Sequence, residues 1–357
     1  MAGYRKVHFL IIIIGGLFIF LTAIKVQKIS SEEIESFYKQ SLHFTGAGQR
    51  YWYERGFKQI TKLPYESLGC KNCHYTTCDR CHMESKDKDA TFSVNKAKKT
   101  ETCMPCHGRE AVSSKFDHEQ NAIDVHEKAG MVCTDCHLGQ DMHGDGIKYT
   151  SQRELGAVKA DCLRCHSGKE AKGTIYVADL PSHKQHGEKL DCTACHVRAA
   201  MNCYNCHFDT VLKTGSRKDA FIPYKSWLLL VNYKGKVAAG NAQTLVYKGK
   251  PYIVYVPYLT HSIMAKGRRC ENCHNNGAIK KIKRGESIPM VTFKDGKLIT
   301  WKGVVPLVPD KLEWTFLDKK EGKWVPISSE KKPLVQFSLY AEPLTPQQLR
   351  KLYMGFK

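Results

Sequence analysis

Apolar and polar residues are distributed in three ways along this chain. Residues 7–24 form a run of eighteen mostly apolar residues, with Arg5 and Lys6 before it. Such a run would span about 27 Å as a helix, close to the thickness of a bilayer core. A secretory signal usually has a shorter run that ends in small residues, so residues 1–28 are predicted to be a retained N-terminal membrane anchor, with an uncleaved signal as the alternative.

The second pattern begins near Phe221, where β-branched and aromatic runs are separated by the turns KGK, KGK, DGK and EGK. Glycine-bearing turns between such runs are typical of antiparallel hairpins. We therefore expect residues 216–357 to form a β-hairpin-rich module. Residues 29–215 lack this pattern, and there we expect short helices and loops, with a helix beginning at Ser30 or Ser31.

A third pattern, Cys-x-x-Cys-His, occurs eight times and uses all sixteen cysteines. The cysteines are Cys70, Cys73, Cys78, Cys81, Cys103, Cys106, Cys133, Cys136, Cys162, Cys165, Cys192, Cys195, Cys203, Cys206, Cys270 and Cys273. The histidines that follow them are His74, His82, His107, His137, His166, His196, His207 and His274.

The histidine that always follows the second cysteine distinguishes between the kinds of site that these cysteines could form. Disulfides and zinc ribbons do not need it, and a thioredoxin-like motif occurs once. Attachment of c-type haem needs every position, because two thiols bind the porphyrin and the imidazole binds iron. The sequence predicts eight covalent haems, seven of them in residues 29–215 and the eighth in the β-rich module. Porphyrins would then supply much of the buried apolar surface of the first part.

A second set of histidines could fill the distal positions of these irons. Outside the motifs and the apolar segment, which holds His8, the chain has seven histidines: His43, His118, His126, His143, His183, His186 and His261. Because seven candidate histidines face eight predicted irons, one iron would have no distal histidine. Methionine, lysine, water or an open position could complete that site.

The formal net charge of +20 would ordinarily suggest a nucleic-acid partner. Haem propionates change this net charge, because eight haems would contribute a charge of about −8 to −16. We therefore expect no nucleic-acid partner. Because c-type haem is attached outside the cytoplasm, we expect the anchored chain to face the periplasm.

The stretch DVHEKAGMVCTDCHLGQDMHGDG, which begins at Asp124, resembles segments of multihaem c-type cytochromes in the hydroxylamine oxidoreductase and octahaem tetrathionate reductase grouping. The similarity covers roughly residues 65–275 and concerns haem binding rather than a reaction. The resemblance implies that His126 and His143 are distal ligands to other haems and that His137 is a proximal ligand.

These observations predict an extracytoplasmic octahaem cytochrome that relays electrons. Its expected partners are a membrane quinol-oxidising complex as donor and periplasmic or outer cytochromes or reductases as acceptors. Whether it is an enzyme stays open, and no catalytic residue is predicted. One alternative is an oxidoreductase that reduces a small nitrogen or sulfur oxyanion at the iron without a distal histidine. Another is a subunit of a haem-stacking filament.

Overall fold

The computed structural model describes residues 3–6, 26–69, 76–85, 90–167, 180–217, 219–258, 261–328 and 330–354. Most of the predicted anchor, residues 7–25, lies outside these ranges. On either side of it, strand β1 (Gly3–Lys6) pairs antiparallel with β2 (Val26–Ile29). Among the described residues, none of the helices combines the length and the apolar character that a membrane span requires.

Short helices joined by loops follow, as expected. The first helix begins after Ser30, whose hydroxyl accepts a hydrogen bond from the Glu33 amide at 3.1 Å and satisfies an otherwise unpaired donor. Up to residue 128 the helices are α1 (Ser31–Tyr38), α2 (Leu42–Thr45), α3 (Ala47–Trp52), α4 (Lys58–Thr61), α5 (Asp79–His82), α6 (Val94–Lys98), α7 (Thr100–Cys103), α8 (Gly108–Glu119) and α9 (Val125–Lys128). The rest are α10 (Cys133–Cys136), α11 (Gly139–His143), α12 (Cys162–His166), α13 (Pro181–His186), α14 (Cys192–His196), α15 (Phe208–Thr214), α16 (Cys270–Cys273), α17 (Gly277–Lys283) and α18 (Pro346–Tyr353).

An eight-stranded sheet dominates the second half of the chain, with the order β10-β5-β6-β7-β14. Its strands are β3 (Ala200–Tyr204), β4 (Cys206–His207), β5 (Ile222–Tyr233), β6 (Lys236–Tyr247), β7 (Lys250–Pro257), β10 (Gly303–Pro306), β14 (Leu334–Phe337) and β15 (Ala341–Glu342). Strands β3 and β15 pair with β5, and β4 pairs with β6. The sheet therefore takes in residues before position 216, where the sequence placed the start of the β-rich module.

Smaller sheets complete the fold. Strand β8 (Ile288–Lys294) lies between β9 (Lys297–Thr300) and β11 (Leu312–Trp314), while β12 (Leu317–Lys320) and β13 (Lys323–Pro326) form a separate hairpin. One apolar core packs around β5 and β6 and includes Trp227, which is 1% exposed. A second core joins aromatic residues of the N-terminal part, including Tyr53 and Phe57, to β7.

The four predicted hairpin turns are confirmed. Each has two central residues with positive φ, a conformation that the right-handed twist of two-residue hairpins requires. At the β5–β6 turn, for example, Lys234 has φ 50° and Gly235 has φ 84°. Positive φ at both central residues recurs at Lys248 and Gly249, Asp295 and Gly296, and Glu321 and Gly322. Glycine at the second position adopts this conformation without steric cost.

Candidate haem centres

Seven of the eight motifs lie in the described residues, and six of them adopt one helical turn. Cys70, Cys73 and His74 of the first motif lie outside the described residues. In the helical motifs the histidine amide donates to the carbonyl of the first cysteine, for example at 2.9 Å from His137 to Cys133. A helical turn places residues three apart on one side, so both thiols can reach one porphyrin edge.

Six motif histidines face a second histidine from the set that the sequence singled out. The distances between ring centroids are 6.2 Å for His43 and His107, 6.0 Å for His82 and His143, 6.0 Å for His126 and His166, 6.2 Å for His137 and His261, 6.4 Å for His183 and His196, and 6.2 Å for His186 and His274. Each pair joins one motif histidine to one non-motif histidine.

This spacing leaves room for one metal ion between the rings. With metal–imidazole bonds of about 2.0–2.1 Å and ring centroids about 1.1 Å beyond each bonded nitrogen, two imidazoles on opposite sides of an iron have centroids about 6.2–6.4 Å apart. The observed range of 6.0–6.4 Å agrees with this estimate. Two thiols, a proximal imidazole and an opposing imidazole therefore fit a six-coordinate c-type haem at each of these motifs.

Hydrogen bonds at Nδ1 orient several of these rings. A carbonyl oxygen can only accept, so a ring nitrogen facing one must carry the proton, and Nε2 then presents its lone pair. His82 donates in this way to Ser93 at 3.2 Å, and His274 donates to Met354 at 3.1 Å. His196 and His186 do the same with the carbonyls of Met264 and Ser182 at 3.1 and 2.8 Å. The residues thus fix the tautomer that a haem iron needs.

The surroundings tune the basicity of the distal candidates in opposite directions. Burial lowers the pKa of His43 and of His143, which favours the neutral imidazole that binds metal. Hydrogen bonds with Glu110 and Asp124 raise the pKa of His261 and His126, respectively. A carboxylate at Nδ1 makes an imidazole a stronger donor to a metal.

Contacts between cysteines of different motifs place the motifs in a spatial order. The thiols of Cys103 and Cys133 lie close enough to shift one another's pKa, upward for Cys103 and downward for Cys133, and the same holds for Cys162 and Cys192. At Cys81, Cys136 and Cys195, burial raises the thiol pKa and a cysteine of the next motif raises it further, namely Cys106, Cys165 and Cys270. The motifs therefore follow one another in the order 78–82, 103–107, 133–137, 162–166, 192–196 and 270–274.

The motif at residues 203–207 has a different backbone. The expectation of a short helix at this motif is wrong, because Cys203 lies in β3 and Cys206 in β4. Between them Asn205 has φ 54°, and its side chain bonds the amide and the carbonyl of Leu317 at 2.8 Å each. The His207 amide donates to the Ala220 carbonyl at 2.6 Å instead of to Cys203. Pairing with β5 and β6 holds this motif in extended conformation.

The ring of His207 also has different neighbours. Its Nδ1 lies 3.0 Å from the Thr210 hydroxyl, and its Nε2 lies 2.9 Å from Oδ1 of Asp318. Trp324 meets the ring edge-on with centroids 6.3 Å apart. Among the described residues, no imidazole stands opposite His207. Two thiols and an anchored imidazole are still the donors of a c-type haem, but iron at Nε2 requires Asp318 to withdraw, because two metal–ligand bonds of about 2.0–2.2 Å each exceed the present gap.

One distal candidate remains without an imidazole partner in the described residues. His118 on α8 places Nε2 2.5 Å from a carboxylate oxygen of Glu127. The motif histidine without a described position is His74. The sequence singled out neither Asp318 nor Trp324, because both lie more than a hundred residues from the motif that they contact.

Comparisons with known proteins agree with this chemistry. Residues 125–208 match the family model of cytochrome c3. No curated protein and no solved structure matches the chain. The matched stretch supports a multihaem c-type cytochrome with covalent haems that transfers electrons. It covers three consecutive motifs of the spatial order, at 133–137, 162–166 and 192–196, and also the divergent motif at 203–207.

Proposed function

We propose that this chain is a membrane-anchored, extracytoplasmic octahaem cytochrome that relays electrons from a quinol-linked membrane donor to an exported redox protein. Six facing imidazole pairs, with centroids 6.0–6.4 Å apart, are the main observation in its favour. Iron held by two imidazoles exchanges single electrons and has no free coordination position. Such centres suit transfer rather than catalysis.

The order of the motifs supports a continuous path. The mutual pKa shifts of Cys103 and Cys133, and of Cys162 and Cys192, place the attachment points of neighbouring haems close together. Each thiol also fixes one edge of its haem covalently, so the protein sets the separation of neighbouring redox centres. The motif at 133–137 is the third of the six in this order, so its loss would divide the path.

Electrons would enter and leave the protein at the two ends of this order of motifs. The motif at 270–274 lies beside the C-terminal helix α18, since His274 donates to the carbonyl of Met354. The motif at 78–82 lies at the other described end, with Cys78 and Cys81 both exposed. An exposed terminal motif is where a partner protein could approach closely enough to exchange electrons.

A photoreductant ligated to the C-terminus tests the path. In the full-length haem-loaded chain, electrons injected there should spread rapidly to the motifs on both sides of 133–137. In the double variant Cys133→Ser/Cys136→Ser, only the haems at 162–166, 192–196 and 270–274 should be reduced in the rapid phase, so its amplitude should decrease. The matched variant Cys78→Ser/Cys81→Ser removes a terminal haem and should keep the rapid phase of the others. An unchanged rapid phase after the central break would refute the relay.

The alternative of an oxidoreductase acting on a small oxyanion is favoured by one observation. His207 faces a carboxylate and an indole rather than a second imidazole. An iron held by His207 after Asp318 withdrew would have no described imidazole on its other side.

A further inference from the structure

The short stretch before the motif at 270–274 lies against several haem centres, and we call residues 261–268 the strap. Its first residue, His261, faces His137. Its last residue, Arg268, donates its amide hydrogen to the Cys195 carbonyl at 2.9 Å. The strap therefore reaches from the distal side of the centre at 133–137 to the attachment point of the centre at 192–196.

The strap is anchored on the motif at 192–196. Ile263 forms an antiparallel bridge with Val197, and the Met264 amide donates to the His196 carbonyl at 2.8 Å. In return, Nδ1 of His196 donates to the Met264 carbonyl at 3.1 Å. Val197 is fully buried, so this anchor lies in the protein interior.

A single carboxylate joins the strap to a second centre. Asp124 is 4% exposed, and its Oδ2 accepts a hydrogen bond from the Ile263 amide at 2.7 Å. Its Oδ1 accepts from the His126 amide at 2.7 Å and lies 3.3 Å from Nδ1 of the same histidine. The Val125 amide adds a bond to the Ile263 carbonyl at 3.1 Å. Asp124 thus holds His126 with one oxygen and the strap with the other.

The two histidines on either side of Asp124 serve different irons. His126 faces His166, whereas His261, at the start of the strap, faces His137. The motifs that contain His137 and His166 are neighbours in the spatial order. A displacement of Asp124 would therefore move the distal ligands of two neighbouring haems together.

We propose that Asp124 is a positioning residue for two neighbouring haem centres, acting on His126 directly and on His261 through the strap. The inference rests on the relay proposed above, in which these two centres are consecutive. The match to cytochrome c3 ends at residue 208, so the strap lies outside it. This chain therefore completes the matched motif at 133–137 with a distal histidine from a later part of its sequence.

The variant Asp124→Asn keeps the shape of the side chain and removes its charge. An amide has one accepting oxygen, so its NH₂ group must face an N–H donor on either the His126 side or the strap side. In the purified full-length holoprotein, low-temperature EPR should show changed low-spin signals for two haems, those at 133–137 and 162–166. Loss of such a partner typically weakens the binding of a metal by about 10–100-fold, so cyanide should displace both distal imidazoles at a concentration about tenfold lower.

The other haems identify the changed signals and show that the variant is folded. Signals of the haems at 78–82, 103–107 and 270–274 should stay as in the wild type. Removing one motif at a time, with Cys133→Ser/Cys136→Ser or with Cys162→Ser/Cys165→Ser, assigns each changed signal to its haem. Changes at every haem would indicate a general structural role for Asp124 and would overturn the proposal.

Three further variants separate the shared role from a local one. Glu110→Gln removes a carboxylate that bonds His261 at 2.9 Å, and it should change the haem at 133–137 alone. Glu119→Gln, at an exposed carboxylate that pairs with Lys225, should change neither haem. Asp124→Ser keeps a cap for α9, but its one oxygen cannot also hold the strap, so it should reproduce the effect on two haems.

The outcomes distinguish this inference from the relay on which it rests. Wild-type signals in Asp124→Ser would show that Asp124 only caps α9, and a change confined to the haem at 162–166 in Asp124→Asn would show that it acts on His126 alone. Either result overturns the inference and leaves the relay intact. Failure of the relay has a different signature, namely the absence of low-spin bis-imidazole signals from the wild-type protein.

Discussion

A half-buried arginine between two haem motifs, Arg268, offers a direct test of how the protein sets reduction potentials. The Arg268 amide donates to the Cys195 carbonyl at 2.9 Å, and its guanidinium bonds the carbonyls of Val197 and Arg198. Burial lowers the pKa of Arg268, and the thiols of Cys273 and Cys195 oppose this effect. The charge therefore lies between the motifs at 192–196 and 270–274.

Arg268→Gln should lower the reduction potential of the haems at these two motifs, because a nearby cation favours the reduced iron. A unit charge about 8–10 Å away, at an effective dielectric constant of about 20, contributes about 1.7–2.1 kcal/mol, or about 70–90 mV for one electron. Spectroelectrochemical titration of the holoprotein measures this shift.

Two control variants separate charge from structure. Arg269 is the next residue and its side chain is 80% exposed, so Arg269→Gln should shift the same potentials by less than about 20 mV at low salt. Arg268→Lys keeps the charge and should restore most of the wild-type potential. Equal shifts in both Gln variants, or a large shift in Arg268→Lys, would refute the electrostatic argument.

Two further predictions concern stability. Trp227 is 1% exposed and stacks on Tyr224 with centroids 4.8 Å apart, so Trp227→Ala should lower the free energy of unfolding by about 3–5 kcal/mol in guanidinium titrations followed by circular dichroism. A loss below about 1 kcal/mol would mean that the core does not depend on this packing. Arg284, and then Lys281, lower the pKa of Glu286 to about 2. A lowered carboxyl pKa stabilises the fold above the unfolded pKa of about 4.3, so the stability advantage over Glu286→Gln should disappear as the pH falls towards 2. An advantage that persists at low pH would exclude this ion pair as its source.

Local features of this fold could be predicted from the sequence. A Lys-Gly, Asp-Gly or Glu-Gly turn needs only its own residues and the adjoining strands, so all four hairpin turns were predictable. The Ser30 cap was predictable for the same reason. The cysteine motifs are local as well, because five consecutive residues provide both thiols and the proximal imidazole.

Long-range pairing could not be predicted. His137 faces His261, and His107 faces His43, across separations that no short-range pattern encodes. The extended backbone at 203–207 was missed because CYNCH has the same local pattern as the helical motifs. Pairing with β5 and β6 overrides that local preference.

The cysteine contacts alternate along the array. Cys81 meets Cys106 through second cysteines, Cys103 meets Cys133 through first cysteines, and the next two contacts repeat this alternation. Over these four contacts like edges meet like edges, and the unit that repeats is a pair of motifs. At the last step Cys195 lies near both Cys270 and Cys273, so the strict alternation ends there. Deleting one motif from within the alternating part would bring unlike edges together, whereas deleting two neighbours would restore the match. This part of the array therefore has a parity, and changing its length with continuity preserved requires an even number of motifs.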